Sequence, residues 1–150
     1  MKPVMAVMIA LMVLGCSAAN MVVEPDTEFQ FKVATGVNPD GAGRPSPVVV
    51  RYYELSSRSQ FDNSYFDPLF DAPETALGPD LLVREELELQ PGTELEITRR
   101  LNPNARFVGL VAAYRDIEVA RWRVVIEVDP TGYDERVIHV EPLALYVLPD

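Results

Sequence analysis

The sequence has little of what enzymes and metal proteins commonly depend on. Its 150 residues include one histidine, one cysteine and one tryptophan. A lone His139 excludes a His-rich metal centre and leaves a single candidate imidazole base. A lone Cys16 excludes an intramolecular disulfide, so the folded body must be held by packing alone. Basic residues are scarce too, 13 against 23 acidic ones, for a formal net charge of −10. Such a surface repels nucleic acid and anionic headgroups alike, so no nucleic-acid partner is expected. No Gly-x-Ser-x-Gly, His-Glu-x-x-His or Gly-x-x-x-x-Gly-Lys motif occurs, which leaves acyl transfer, zinc hydrolysis and nucleotide binding without their usual carriers. No long apolar run occurs after residue 14, so the body reads as soluble.

The one apolar run lies at the start. Lys2 precedes an unbroken stretch from Val4 to Leu14. It is too short for a permanent membrane span, which needs about 20 residues. It fits the apolar core of a secretory signal, which runs about 7–15 residues. The stretch ends in Val13-Leu14-Gly15-Cys16, which resembles a bacterial lipobox; the alternative is an ordinary signal with an incidental cysteine. The lipobox resemblance implies cleavage before Cys16 and acylation of its sulfur and new amino group. Acyl chains contribute about 0.8 kcal/mol per buried methylene, so three of them would hold the chain on a membrane almost permanently. Ser17, where an Asp would imply inner-membrane retention, implies the outer membrane. The expected organisation is a signal peptide over 1–15, a lipidated cysteine and tether over 16–26, and one domain over 27–150.

Within that domain the pattern is mostly of strands. Phe29, Phe31 and Val33 alternate with Gln30 and Lys32, and Val48–Leu55 is rich in β-branched and aromatic residues. Between them Gly36–Pro47 carries three glycines and three prolines, a loop longer than a hairpin needs. Phe61, Tyr65, Phe66, Leu69 and Phe70 share one face at helical spacing, and the helix is expected to break near Pro68. A second short turn over Ala72–Leu77 would be capped by Asp71 and closed by Gly78. Strands then follow over Leu81–Leu89, Glu94–Thr98, Phe107–Tyr114 and Arg121–Val128. Arg115–Ala120 is a short connection with helical character, and Val137–Leu148 is a strand pair or one strand broken at Pro142. Seven to eight short strands predict an all-β fold with minor α content, an antiparallel β-sandwich.

Chemistry is thinly represented. His139 sits in an alternating strand pattern with no partner residue of its kind. Glu85, Glu86, Glu88, Glu94 and Glu96 flank a turn without metal-ligand spacing and read as a solvated face. Asn38-Pro39-Asp40-Gly41 lacks the leading Asp and trailing Glu of a calcium loop. In Arg121-Trp122-Arg123 the two arginines share one face and the tryptophan the other, which predicts a core tryptophan with solvated arginines. The chain is not expected to be an enzyme. Two other readings stand beside an interaction protein: a small-ligand-binding lipoprotein with the Phe61–Phe70 aromatics lining a pocket, and a hydrolase built on His139.

Several motifs in order carry a family likeness. Leu14-Gly15-Cys16-Ser17, Asn38-Pro39-Asp40, Gly43-Arg44-Pro45-Ser46-Pro47-Val48-Val49-Val50-Arg51 and Tyr53-Glu54-Leu55 open it. Leu77-Gly78-Pro79-Asp80-Leu81-Leu82, Pro91-Gly92, Phe107–Asp116 and Ala120-Arg121-Trp122-Arg123 continue it. Together they resemble the TssJ family, outer-membrane lipoproteins of the type VI secretion system. The resemblance implies a transthyretin-like β-sandwich facing the periplasm and anchored to the outer membrane. It implies binding to the periplasmic C-terminal domain of the inner-membrane protein TssM, and through TssM to TssL. It also implies that the loop between the first two strands carries much of that contact, here Asn38, Pro39, Asp40, Gly41, Arg44, Pro45 and Ser46. No cofactor is expected beyond the covalent lipid on Cys16.

Overall fold

The computed structural model describes residues 24–149; the signal segment, Cys16 and the tether up to residue 23 lie outside the described residues. Eight strands form two four-stranded sheets packed face to face. The first contains β1 (Thr27–Val33), β4 (Glu94–Arg99), β7 (Asp134–Glu141) and β8 (Ala144–Val147), in the order β4-β1-β7-β8. The second contains β2 (Val48–Leu55), β3 (Leu81–Leu89), β5 (Phe107–Ala112) and β6 (Arg123–Glu127), in the order β3-β2-β5-β6. The alternation in β1 turns Phe29, Phe31 and Val33 inward, where they meet Val48, Val50 and Tyr52 of β2 in one core. Phe29 and Tyr52 pack edge to face at 5.6 Å. Among these pairings β1 with β7 is parallel and the others are antiparallel. The parallel pair needs a long crossover between its strands, and almost the whole domain supplies it.

The second sheet is covered on both faces. Its inner face joins the sandwich core; its outer face is roofed by α1 (Ser59–Asn63), α2 (Phe66–Asp71) and α3 (Pro73–Leu77). This explains why β5 reads as nearly all apolar: Val108, Leu110 and Ala112 face the sandwich, while Phe107 and Val111 face the roof. The helical segment differs from expectation in two ways. The break falls at Ser64–Tyr65, and Pro68 sits inside the first turn of α2, where its missing N–H has no helical partner to lose. Asp71 does not cap α3; the cap position is Ala72, with no side-chain bond. Likewise Arg115–Ala120 forms turns rather than a helix. At the far edge Glu85, on the inner side of β3, clasps Arg99 of the other sheet at 2.6 and 3.1 Å rather than lying on the solvated face. Among the described residues no helix is long and apolar enough to cross a membrane.

Roof and sheet meet most closely at Gly109. A Cβ there would lie 2.6 Å from the buried Phe61 ring, inside any tolerable contact. Gly109→Ala is therefore expected to lower stability by about 1–3 kcal/mol through overpacking, read from the urea midpoint. A variant as stable as the parent would mean that α1 lifts freely from the sheet.

The strand directions give the sandwich two unlike poles. Residues 24–26 enter β1 at one end, where Glu24 pairs with Arg100 and the Asp26 carbonyl accepts the Asp134 N–H at 3.3 Å. The loop after β1, the β5–β6 connection and the Pro142–Leu143 turn gather at the other end. A seven-residue strand separates the two, about 20 Å at 3.3 Å per residue.

Candidate functional site

The loop over residues 34–47 is an ordered structure built on one inward-turned residue. Asn38 has φ 49°, a left-handed conformation that asparagine tolerates better than most side chains. That turn drives its amide into the body, where Asn38 is only 4% exposed. Its Nδ2–H donates to the Pro47 carbonyl at 2.8 Å, and its Oδ1 accepts the Arg115 N–H at 2.8 Å. Its backbone N–H donates to the Pro142 carbonyl at 3.0 Å, and its own carbonyl accepts the Ser46 hydroxyl. Beside it Val37 is fully buried. Asn38 and Ser46 thus form the base of the loop, and the Asn38 amide, engaged at both its nitrogen and its oxygen, is buried away from any docking partner.

The tip is a second, self-contained turn. The Asp40 carboxylate accepts the N–H groups of Ala42 and Arg44, both at 2.9 Å, and the Arg44 Nε–H at 2.8 Å. The Gly43 N–H returns to the Asp40 carbonyl at 2.8 Å, with Gly43 at φ 75°, where a side chain would be strained. Bonding from the Arg44 N–H foremost, then from its guanidinium and the Ala42 N–H, holds the Asp40 carboxyl below the usual carboxylate range. A depressed folded value means that these contacts are present above the unfolded value and are lost as pH falls through the folded one. The tip is therefore expected to keep one conformation between about pH 5 and 8, as the amide shifts of Ala42 and Arg44 would report. Gly41, Ala42, Gly43, Arg44 and Pro45 are exposed, Pro39 and Asp40 half-buried. Of the seven residues that the family resemblance assigns to partner contact, Asn38 and Ser46 build the loop. Pro39, Asp40, Gly41, Arg44 and Pro45 present its tip.

Arg115, at the start of the connection after β5, fastens this loop to its neighbour. Besides its N–H bond to Asn38, its Nε–H donates to the Ser46 hydroxyl at 2.9 Å. The Arg121 N–H donates to the Leu143 carbonyl at 2.9 Å, and the Tyr114 hydroxyl to the Glu141 carbonyl at 3.1 Å. The sequence signal for this is the Tyr114-Arg115-Asp116 run that follows β5.

The aromatic segment does not line a chamber. Phe61 and Leu69 are fully buried under the roof, and the Tyr53 hydroxyl, its pKa pushed up to about 12 by burial, donates to the Leu69 carbonyl at 2.6 Å. Phe66 stacks on Phe70 at 5.2 Å and meets Trp122 edge-on at 5.4 Å. Arg123 is not a solvated arginine: its Nη1 donates to the carbonyls of Phe61, within α1, and of Ser64, just after it, at 2.9 and 2.8 Å. A cleft of about 340 Å³ lies beside the helices, but Arg51, Arg84, Asp71, Glu85 and Glu86 contribute most of its wall. That lining does not match the apolar pocket which the ligand-binding reading calls for. His139 stacks flat on Tyr146 at 5.0 Å, across from Lys32. Among the described residues no group of three or more His, Cys, Asp or Glu side chains could hold a metal ion.

Comparison with known proteins gives the following. The family model of the type VI secretion lipoproteins (VasD, EvfM, TssJ) matches residues 25–143. The fold is similar to that of the type VI secretion lipoprotein TssJ1 from Pseudomonas aeruginosa, at 32% identity and a TM-score of 0.80, covering 85% of this chain and 98% of that one. It is also similar to Serratia marcescens Lip, a membrane-bound component of the type VI secretion system, at 22% identity and a TM-score of 0.76, covering 85% and 99%. Lip, at that identity, speaks to the fold alone. A chain in a structure described as a type VI membrane complex matches at 27% identity and a TM-score of 0.74, covering 84% and 99%. Another, in a structure described as the TssM C-terminal domain (869–1107) from EAEC, matches at 29% and 0.71, covering 83% and 98%. No curated protein matches by sequence.

Proposed function

The chain belongs to the type VI secretion lipoprotein family, TssJ, and from that premise we propose that it ties a trans-envelope complex to the outer membrane. In this reading Cys16 carries the lipid, the domain faces the periplasm, and the exposed tip Pro39–Pro45 docks on the periplasmic C-terminal domain of TssM. TssL is reached through TssM. The protein acts by binding, with no catalysis and no cofactor beyond the lipid.

The observation that carries this reading is the polarity of the sandwich. The segment leading back to Cys16 leaves from one pole and the loop stands at the other. A domain anchored by its first pole therefore holds the loop away from the membrane, at the height where a partner from the opposite membrane arrives. The loop is also pre-formed: its base and its tip are hydrogen-bonded before any partner binds, so little ordering entropy is lost on docking. Chains similar to this one occur in structures described as a type VI membrane complex and as the TssM C-terminal domain, which supports the choice of partner.

The test is a calorimetric titration of the mature, unacylated chain against the periplasmic C-terminal domain of the TssM encoded with it. Arg44→Ala is expected to weaken binding about tenfold, the scale of a rim-to-core arginine contact. Arg44 is exposed, so its melting temperature should stay at the parent value. Parent-level affinity in this variant would move the interface off the tip; no binding by the parent chain would remove the reading.

A further inference from the structure

The proposed docking tip is poor in the surface that makes interfaces strong. Gly41, Ala42 and Gly43 carry almost no side chain, Pro39 and Asp40 are half-buried, and Arg44 and Pro45 are its exposed bulk. Stable interfaces have an apolar centre within a polar rim, and a tip of this composition supplies mostly rim. An apolar centre has to come from an adjacent element held in fixed register with the loop.

One such element exists. Among the described residues the exposed large apolar side chains are Tyr65, Val119, Tyr133 and Leu148. Val119 is 66% exposed and lies in the 115–120 turns, at the pole of the loop. This connection is tied to the loop twice through Arg115, at Asn38 and at Ser46, and to the Pro142–Leu143 turn through Arg121. Its own turn is closed by the Ala120 N–H on the Asp116 carbonyl at 3.1 Å. Val119 is thus presented on a fixed support, flanked by exposed Arg115, Asp116 and Glu118. Leu148, with nearly the same exposure at 60%, follows β8 on the flank of the sandwich, next to the register position of Val137 and away from the loop.

We propose that Val119 and the 115–120 turns form the apolar half of the docking surface, beside the polar tip Pro39–Pro45. The occupant is the same periplasmic TssM domain, which meets this pole with an apolar recess for Val119 and polar groups for Arg44. This rests on the function proposed above, since it names a second element of that interface.

The two exposed apolar residues make a matched experiment. Val119→Asp and Leu148→Asp add the same charge to the same kind of exposed site, one at the loop pole and one on the flank away from it. Each is titrated, as the mature unacylated chain, against the TssM periplasmic domain, with a thermal melt run beside it. Val119→Asp is expected to weaken binding tenfold or more, because a carboxylate is forced into a contact that excludes water. Leu148→Asp is expected to bind as the parent does, and both should melt within a degree or two of it, as exposed substitutions do. Parent-like binding by Val119→Asp overturns the inference while leaving the tip intact. Equal losses in the two variants also overturn it, since charge alone would then explain them. Failure of the parent chain to bind is a different result, which removes the proposed function and this inference together.

Discussion

Asn38→Ala is expected to destabilise the domain by about 2–4 kcal/mol and to unfasten the loop before β2, a large effect for a loop substitution. Three costs combine. The Pro47 carbonyl loses the Nδ2–H bonded to it at 2.8 Å, and the Arg115 N–H loses its acceptor at 2.8 Å. Each group left unpaired in a part-buried site costs about 1–3 kcal/mol. The third cost is conformational: at φ 49° alanine meets a penalty of about 1–2 kcal/mol that asparagine partly avoids by local hydrogen bonding. Asn38→Gly separates these contributions. Glycine takes the left-handed conformation freely but restores neither bond, so it should fall between parent and alanine. Urea unfolding gives the ranking, and amide exchange at Ala42 and Arg115 gives the location. A loss below about 1 kcal/mol for the alanine variant would mean that water replaces both bonds and that Asn38 is not the keystone of the loop. In binding assays this variant would lose affinity through the loop's shape, which is why Arg44, and not Asn38, tests contact.

The loop also marks the limit of what the sequence discloses. Its length, and its glycines and prolines, are legible because few residues tolerate those backbone conformations. Which of its polar residues turns inward is not, because the Asn38 acceptor is matched by a backbone N–H 77 residues away. Within Gly-Val-Asn-Pro-Asp-Gly both Asn38 and Asp40 read as surface polar residues. Only the fold separates the buried one from the tip-forming one. The same distinction runs through the sheets. β2 was legible at both ends, since a β-branched and aromatic run is bounded by Pro47 and Ser56. β5 showed its two-sided burial in its composition. The parallel pairing of β1 with β7 left no such mark, because alternation reports which side of a strand is buried and not which strand lies beside it. Arg123 illustrates the remaining gap. Alternation correctly places it on the face opposite the core, but that face is roofed by α1, whose carbonyls take up its guanidinium.

Replacing Cys16 with serine is expected to have the largest effect of any single change, removing the protein entirely from the outer-membrane fraction. The argument is additive. Even one acyl chain gives only marginal binding, with an association constant of about 10⁴ M⁻¹, whereas two or more anchor a protein stably. A serine at this position can accept neither the thioether-linked lipid nor the cleavage that depends on it, so no acyl anchor forms, and a chain that keeps its uncleaved signal stays at the inner membrane. Nothing else in the body compensates. Its charge after removal of residues 1–15 is more negative than the −10 of the full chain, since Lys2 goes with them, and anionic headgroups repel it. Fractionation after a high-salt wash reads the result directly. If the signal were an ordinary one and the cysteine incidental, the serine variant would distribute as the parent does. The mature serine chain, made without its signal, should still bind the TssM domain with parent affinity, because residues 24–26 enter β1 at the pole away from the loop. Anchoring and docking are then separable by one substitution each, Cys16→Ser for the membrane and Arg44→Ala for the partner. Assembly in the cell should suffer with either, while affinity in the titration falls only with the second.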